Sequence, residues 1–327
     1  MDFSGYRFAI WGGVLLAASG AAVAAMFYPQ LAIQSAPRKV AVTADESVSA
    51  NAQKQFRDAF ESQRYEALPE LTAALTAAYL KNPNDAKLAL LIGHAHFWRV
   101  AERGRDRNTG PGITDSMVLA NFYFNEAYRL QPDDHRIGGW LASTQMALGS
   151  IHADERAQRR GYFMLKDSVR AYPEFNNFTL GYVMSRLPAG NPKLTEATQA
   201  MWTNLDLCVG HKVDRANPDL SILGSGAVPD GPTKVCFNGP YAPHNVEGFF
   251  LAFGDLLVKT GDPDLAKTVY LQARVSPTYD SWPFKTLLEE RARTADQRAK
   301  QFASGDSRNP PEMTSTSAHT CAVCHAR

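Results

Sequence analysis

The sequence predicts an all-α protein built from stacked pairs of helices, and three observations carry that expectation. From about residue 48 to 207 nearly every segment repeats apolar residues three and four apart, the spacing of one helix face. Short loops rich in Pro, Gly, Asn and Asp break these segments at 81–85 (KNPND), 131–135 (QPDDH), 171–175 (AYPEF) and 188–193 (PAGNPK). No alternating run of β-branched residues is long enough to build a sheet. With 327 residues and 45% hydrophobic content, the chain can bury a large core. Thirty-four basic side chains against 33 acidic ones leave a net charge of +1, which argues against nucleic acid as a partner.

Residues 1–30 read as a membrane anchor. From Phe8 to Tyr28 the chain runs 21 residues without a charge, and a helix of that length crosses a hydrocarbon layer of roughly 30 Å. A cleaved signal peptide is the rival reading, with Val23-Ala24-Ala25 as small residues near a cleavage point. The apolar run exceeds the usual signal core of about 7–15 residues, which favours the uncleaved anchor. Charge alone does not orient it: Arg7 lies on one side, Arg38 and Lys39 on the other. Residues 31–47 contain no sustained helical period and form a linker to the domain at 48–302.

Within that domain a pattern recurs. Ala120, Phe124, Ala127 and Pro132 are followed by Leu141 and Ala142 in the next helix. Phe250, Phe253, Gly254 and Leu257 precede Ala266, Tyr270 and Ala273, with Pro277 one residue early. Weaker units have Leu71, Leu75, Ala78 and Pro83 before Ile92 and Gly93, and Leu165, Ser168 and Pro173. The pattern resembles the tetratricopeptide repeat, in which small residues let two antiparallel helices approach and a proline ends the second. The resemblance covers about half the chain. It departs from the family in lacking a tryptophan at the start of each unit, and long connections (104–113, 208–242) break a 34-residue register. It implies a helical-pair solenoid with a concave partner-binding surface. The charged run 282–302 follows as a capping helix.

The connection 208–242 is bracketed by Cys208 and Cys236. A disulfide closing that loop is the simpler reading, worth about 2–4 kcal/mol. A metal site from Cys208, His211, Cys236 and His244 is the sharper one.

Residues 303–327 are polar and contain Pro310-Pro311, and read as a flexible tail. It carries Cys321-Ala322-Val323-Cys324-His325, the C-x-x-C-H spacing. From this composition such a string arises by chance about once in a thousand chains. The spacing resembles the attachment site of c-type cytochromes. There two cysteine sulfurs form thioethers with one haem, and the following histidine binds the iron as proximal ligand. The resemblance implies one covalent haem c on Cys321 and Cys324, with His325 on the iron. It also implies attachment on the outer side of a bacterial inner membrane, so the expected localisation is an inner-membrane protein with its bulk in the periplasm. The chain departs from the common class in having only Ala326 and Arg327 after the motif, so any distal ligand is expected from upstream or from another chain. Met313, His244 and His211 are the candidates, while His94 and His96 read as core or surface histidines of an apolar helix.

Rival uses of the motif are a chelate that adds His319, a thioredoxin-like redox pair, and a structural disulfide. No Walker-type loop, G-x-S-x-G or H-E-x-x-H is present, so an enzyme is not expected. The expected function is electron transfer with a redox partner protein or membrane complex. The alternative is a periplasmic scaffold or assembly factor in which the tail motif is secondary.

Overall fold

A computed structural model describes Tyr28 and residues 30–41, 47–106, 109–226, 228–305 and 310–327. The chain divides into two compact units, Met1–Val40 and Ala41–Arg327. In the first, residues 30–35 are helical and exposed, and the Ser35 hydroxyl donates to the Ala32 carbonyl at 3.1 Å.

The expected membrane anchor at 8–28 lies outside the described residues except for Tyr28. Among the described residues no helix is long and apolar enough to cross a membrane. The longest, Ile113–Leu130, has 18 residues but carries Asp115, Glu126 and Arg129. The expected inner-membrane anchoring is corrected accordingly: no described helix supports it.

In the second unit the helices pair in chain order. α1 (Ser47–Glu61) packs on α2 (Leu68–Lys81), and α3 (Ala86–Ala101) on α4 (Ile113–Leu130). α5 (His135–Ile151) packs on α6 (Glu155–Ala171), α7 (Pro173–Met184) on α8 (Lys193–Val209), and α9 (Asn245–Lys259) on α10 (Pro263–Leu271). α11 (Lys285–Arg293) and α12 (Ala295–Ala303) close the stack against α9 and α10. One further turn, α13 (Ala322–His325), follows in the C-terminal segment. Among the described residues the only β pairing is an isolated bridge between Gly239 and Ala242.

The turns that mark the pairs also start the next helix. Asp85, Asp134, Asp154 and Asp262 each cap a helix by accepting backbone N–H bonds, as Asp85 does from Lys87 and Leu88 at 2.9 and 3.1 Å. Each such cap contributes about 1 kcal/mol. Pro263 stands in the first turn of α10, where its missing N–H costs nothing.

Small residues set the distance within pairs. Ala120, Phe124 and Ala127 are fully buried, and a Cβ on Gly93 would stand 2.6 Å from the Phe124 ring. The fifth pair repeats the relation: Ala266 is fully buried, and a Cβ on Gly254 would run into the Tyr270 ring. Close approach of α3 to α4, and of α9 to α10, thus depends on a missing side chain facing an aromatic one. Full burial of each such aromatic contributes about 1.5–3 kcal/mol.

The long connection 208–242 is anchored rather than loose. Cys208 and Cys236 are joined by a disulfide with Cα atoms 5.7 Å apart. Short turns at Ser221–Gly224 and Pro232–Cys236 follow the chain across the surface. Asn238 ties the exit to α9 by donating to Glu247 at 2.9 Å and accepting from the Val246 amide at 2.8 Å.

The expected flexible tail at 303–327 is not what the structure contains. α12 runs through Ala303, and residues 310–327 pack against the helical stack with Met313, Thr314, Ser315, Thr320, Ala322 and Val323 buried. The physical reason lies in the hydroxyls and amides of this segment, which find partners on the stack instead of water.

Candidate functional site

The C-terminal segment lies on the face built by the first helices of the pairs. Its entry is a buried charge cluster. The Thr314 amide and hydroxyl donate to Asp255 Oδ2 on α9, at 2.7 and 2.8 Å. Asp255 Oδ1 accepts from Tyr270 and from Arg298, both at 2.7 Å. Arg291 and Arg298 also donate to the Glu312 carbonyl, each at 2.6 Å. Burial pushes the Asp255 carboxyl up, but the charges of Arg298 and Arg291 and the Tyr270 and Thr314 hydrogen bonds outweigh it and hold the group below the usual range.

From there the segment runs past α7. The Ser185 hydroxyl donates to Ser315 at 2.8 Å, and the Tyr182 hydroxyl meets Thr320 at 2.6 Å. Arg105 donates to the Ala318 carbonyl at 2.9 Å.

The motif itself is seated by one carboxylate. Glu102, at the end of α3 and fully buried, accepts from the Cys321 and Ala322 amides at 2.8 and 3.0 Å. Its second oxygen accepts from the Trp98 indole at 2.7 Å and pairs with Arg105 at 2.9 Å. Glu102 thereby satisfies amides at the start of α13 that a single helical turn leaves without intrahelical partners. The Trp282 indole donates to the Val323 carbonyl at 2.9 Å, and the His244 amide donates to the Cys324 carbonyl at 3.1 Å. Gly248 on α9 leaves room for the Cys324 sulfur, which a Cβ at that position would strike. Finally Arg327 reaches α1, donating its amide to the Glu61 carbonyl at 3.0 Å and pairing with its carboxylate at 3.1 Å.

Cys321 and Cys324 are half-buried and not crosslinked. Burial first, and then the Glu102 charge, push the Cys321 thiol far above its ordinary value, and burial pushes Cys324 up to about 12. Both are neutral thiols at pH 7. Burial lowers His325. Its Nδ1 faces the Tyr241 carbonyl within hydrogen-bond distance, and its ring lies 4.8 Å from the ring of Phe60. A carbonyl only accepts, so Nδ1 carries the proton and Nε2 keeps its lone pair.

The other expected ligands are dispersed. His244 touches the motif through its backbone, but its Nδ1 is held by Glu247 at 3.1 Å. Met313 is buried, beside the Asp255 contact of Thr314. His211 is exposed in the long connection. His319 lies against Phe284 at 5.5 Å. Among the described residues no group of three or more His, Cys, Asp or Glu side chains is arranged to hold a metal ion, so neither proposed chelate is assembled.

Sequence reasoning missed Glu102, Trp98, Phe60 and Gly248. One signal was present: His94, Trp98 and Glu102 follow at intervals of four along α3, a single stripe on a helix. Comparison with protein-family models, with curated proteins and with solved structures finds no match for this chain.

Proposed function

We propose that the chain is a tetratricopeptide-like helical protein that carries one haem through Cys321 and Cys324, with His325 as proximal iron ligand, and exchanges electrons with a redox partner protein. The observation that carries this reading is the Nδ1 contact of His325 to the Tyr241 carbonyl. It fixes the ring and its tautomer, leaving Nε2 available, which is the support a metal-binding histidine requires. The donor set fits such a group. Two free thiols stand one helical turn apart beside that imidazole, and Phe60, Trp98 and Trp282 supply apolar walls. A bound haem supplies one-electron chemistry at its iron. The chain's own residues orient the imidazole through Tyr241, seat the motif through Glu102, and exclude water by packing.

The scaffold reading is weaker on one specific ground. The helix face that would receive a partner peptide is covered by residues 310–327 of the same chain.

The test is expression in a host competent for cytochrome c maturation. Intact mass one haem above the apoprotein, with a haemochrome spectrum lost in Cys321→Ala, Cys324→Ala double variants, is the expected result. Apoprotein alone from such a host overturns the proposal.

A further inference from the structure

We infer that the groove between α2 and α4 docks one helix of a partner protein, amphipathic and carrying acidic side chains beside its apolar face. This goes beyond the haem reading and does not depend on it.

The groove runs between the second helices of the first two pairs and encloses about 580 Å³. Residues 310–327, which cover the first helices, contribute nothing to its lining. That lining is mostly apolar: Ala77 and Leu80 come from α2, Ala95 from α3, Leu119 and Tyr123 from α4. Leu80 is 73% and Leu119 39% exposed, and Val118 and Phe122 add exposed apolar surface on α4. Single surface leucines need no explanation, whereas a contiguous apolar groove marks an interaction site. From Leu68 to Leu80 it follows α2 for about 18 Å, about three turns of a helix laid along it. Binding of that kind reads apolar side chains at i, i+3, i+4 and i+7 of the guest helix.

Charge decides what the guest helix carries. No carboxylate lines the groove, and Glu70 of α2 lies outside the lining. Arg99 does line it, is exposed, and has no ion-pair partner among the described residues. The Tyr65 hydroxyl donates to the Arg99 carbonyl at 2.7 Å, which places Arg99 at the end where α2 begins. Lys81 follows Leu80 at the other end, exposed and likewise without an ion-pair partner among the described residues. Burial, and then the charge of Arg99, lowers His96 to about 4, so this lining imidazole is neutral at pH 7. Two cations thus bracket an apolar strip. Glutamates beside the apolar face of a guest helix complement both, and lysines there would be repelled. A second copy of this chain would bring the same two cations to a symmetric contact, which disfavours it as the occupant.

The test is fluorescence anisotropy on the full chain with a labelled synthetic helical peptide of about 14 residues, leucine at i, i+3, i+4 and i+7 and glutamate flanking that face. Saturable binding is expected, weakened about tenfold by Arg99→Glu and lost in Leu80→Asp. Both side chains are exposed, and melts matching the parent show that the variants fold. The same peptide with lysine in place of glutamate should bind the parent less tightly and Arg99→Glu more tightly. Leu271→Asp, at an exposed position on α10, should change nothing. Absence of saturable binding to the parent, or binding that survives both groove variants, overturns the inference. Self-association of the parent on sedimentation, lost in Leu80→Asp, would assign the groove to a second copy and overturn it as well. No readout involves haem, so failure here leaves the haem reading standing.

Discussion

Asp255 and Arg298 meet at 2.7 Å in the core, and the second oxygen of Asp255 takes the amide of Thr314 at 2.7 Å. One carboxylate therefore joins the fifth helical pair, the closing helix α12 and the C-terminal segment. Removing one partner of such a buried pair strands the other in low dielectric. Arg298→Met should lower stability by about 3–5 kcal/mol, whereas the double variant Asp255→Leu, Arg298→Met should recover part of that loss. Urea unfolding of the three proteins checks it, and equal midpoints for parent and Arg298→Met would refute it.

The same carboxylate sets a pH window. The folded Asp255 lies below the ordinary carboxylate value, so its contribution is fully present above about pH 4 and is lost as pH falls through the lower folded value. The difference in urea midpoint between the parent and Asp255→Asn should stay constant from pH 8 to 5 and close below pH 4. A difference that grows on acidification would reverse the sign assigned here.

In haem-free, reduced protein the thiols of the motif should resist alkylation. A thiolate is the reactive form, and Cys324 is pushed up to about 12, against about 8.5 for an unhindered cysteine. Iodoacetamide at pH 8 should label neither Cys321 nor Cys324 in the native state and both in denaturant. Gly248→Val, whose side chain occupies the space of the Cys324 sulfur, should restore native-state labelling. Mass spectrometry of the modified peptides reads both outcomes.

Overpacking tests the helical pairs. Gly254→Ala places a methyl against the Tyr270 ring, and should cost about 1–3 kcal/mol. Pairing this change with Tyr270→Phe should not relieve the clash, because the ring and not the hydroxyl is struck. Thermal melts that match the parent would place Gly254 outside the α9–α10 contact.

The pairing of α3 with α4 was legible because its signals are local. Ala120, Phe124, Ala127 and Pro132 lie within one helix and its turn, and their spacing is the geometry of a single face. The seating of the C-terminal segment was not. Glu102 and Cys321 are separated by 219 positions, and Asp255 and Thr314 by 59, distances at which periodicity carries no information. The polar composition of residues 303–320 suggested solvation, yet Thr314, Ser315 and Thr320 are buried because their hydroxyls are paired with Asp255, Ser185 and Tyr182.

The seating of residues 310–327 also imposes an order in time. The five helical pairs are synthesised first, and domains generally fold from the N-terminal side as the chain emerges at about 5–20 residues per second. Throughout that interval Glu102 Oε1 and Asp255 Oδ2 lack the amide partners that Cys321, Ala322 and Thr314 later supply. The cysteines then arrive with ordinary acidity and lose it on docking. Chemistry on those sulfurs therefore has a deadline, set by how quickly the last-made segment finds its seat. Variants that slow docking without abolishing it should lengthen the period in which the thiols can react.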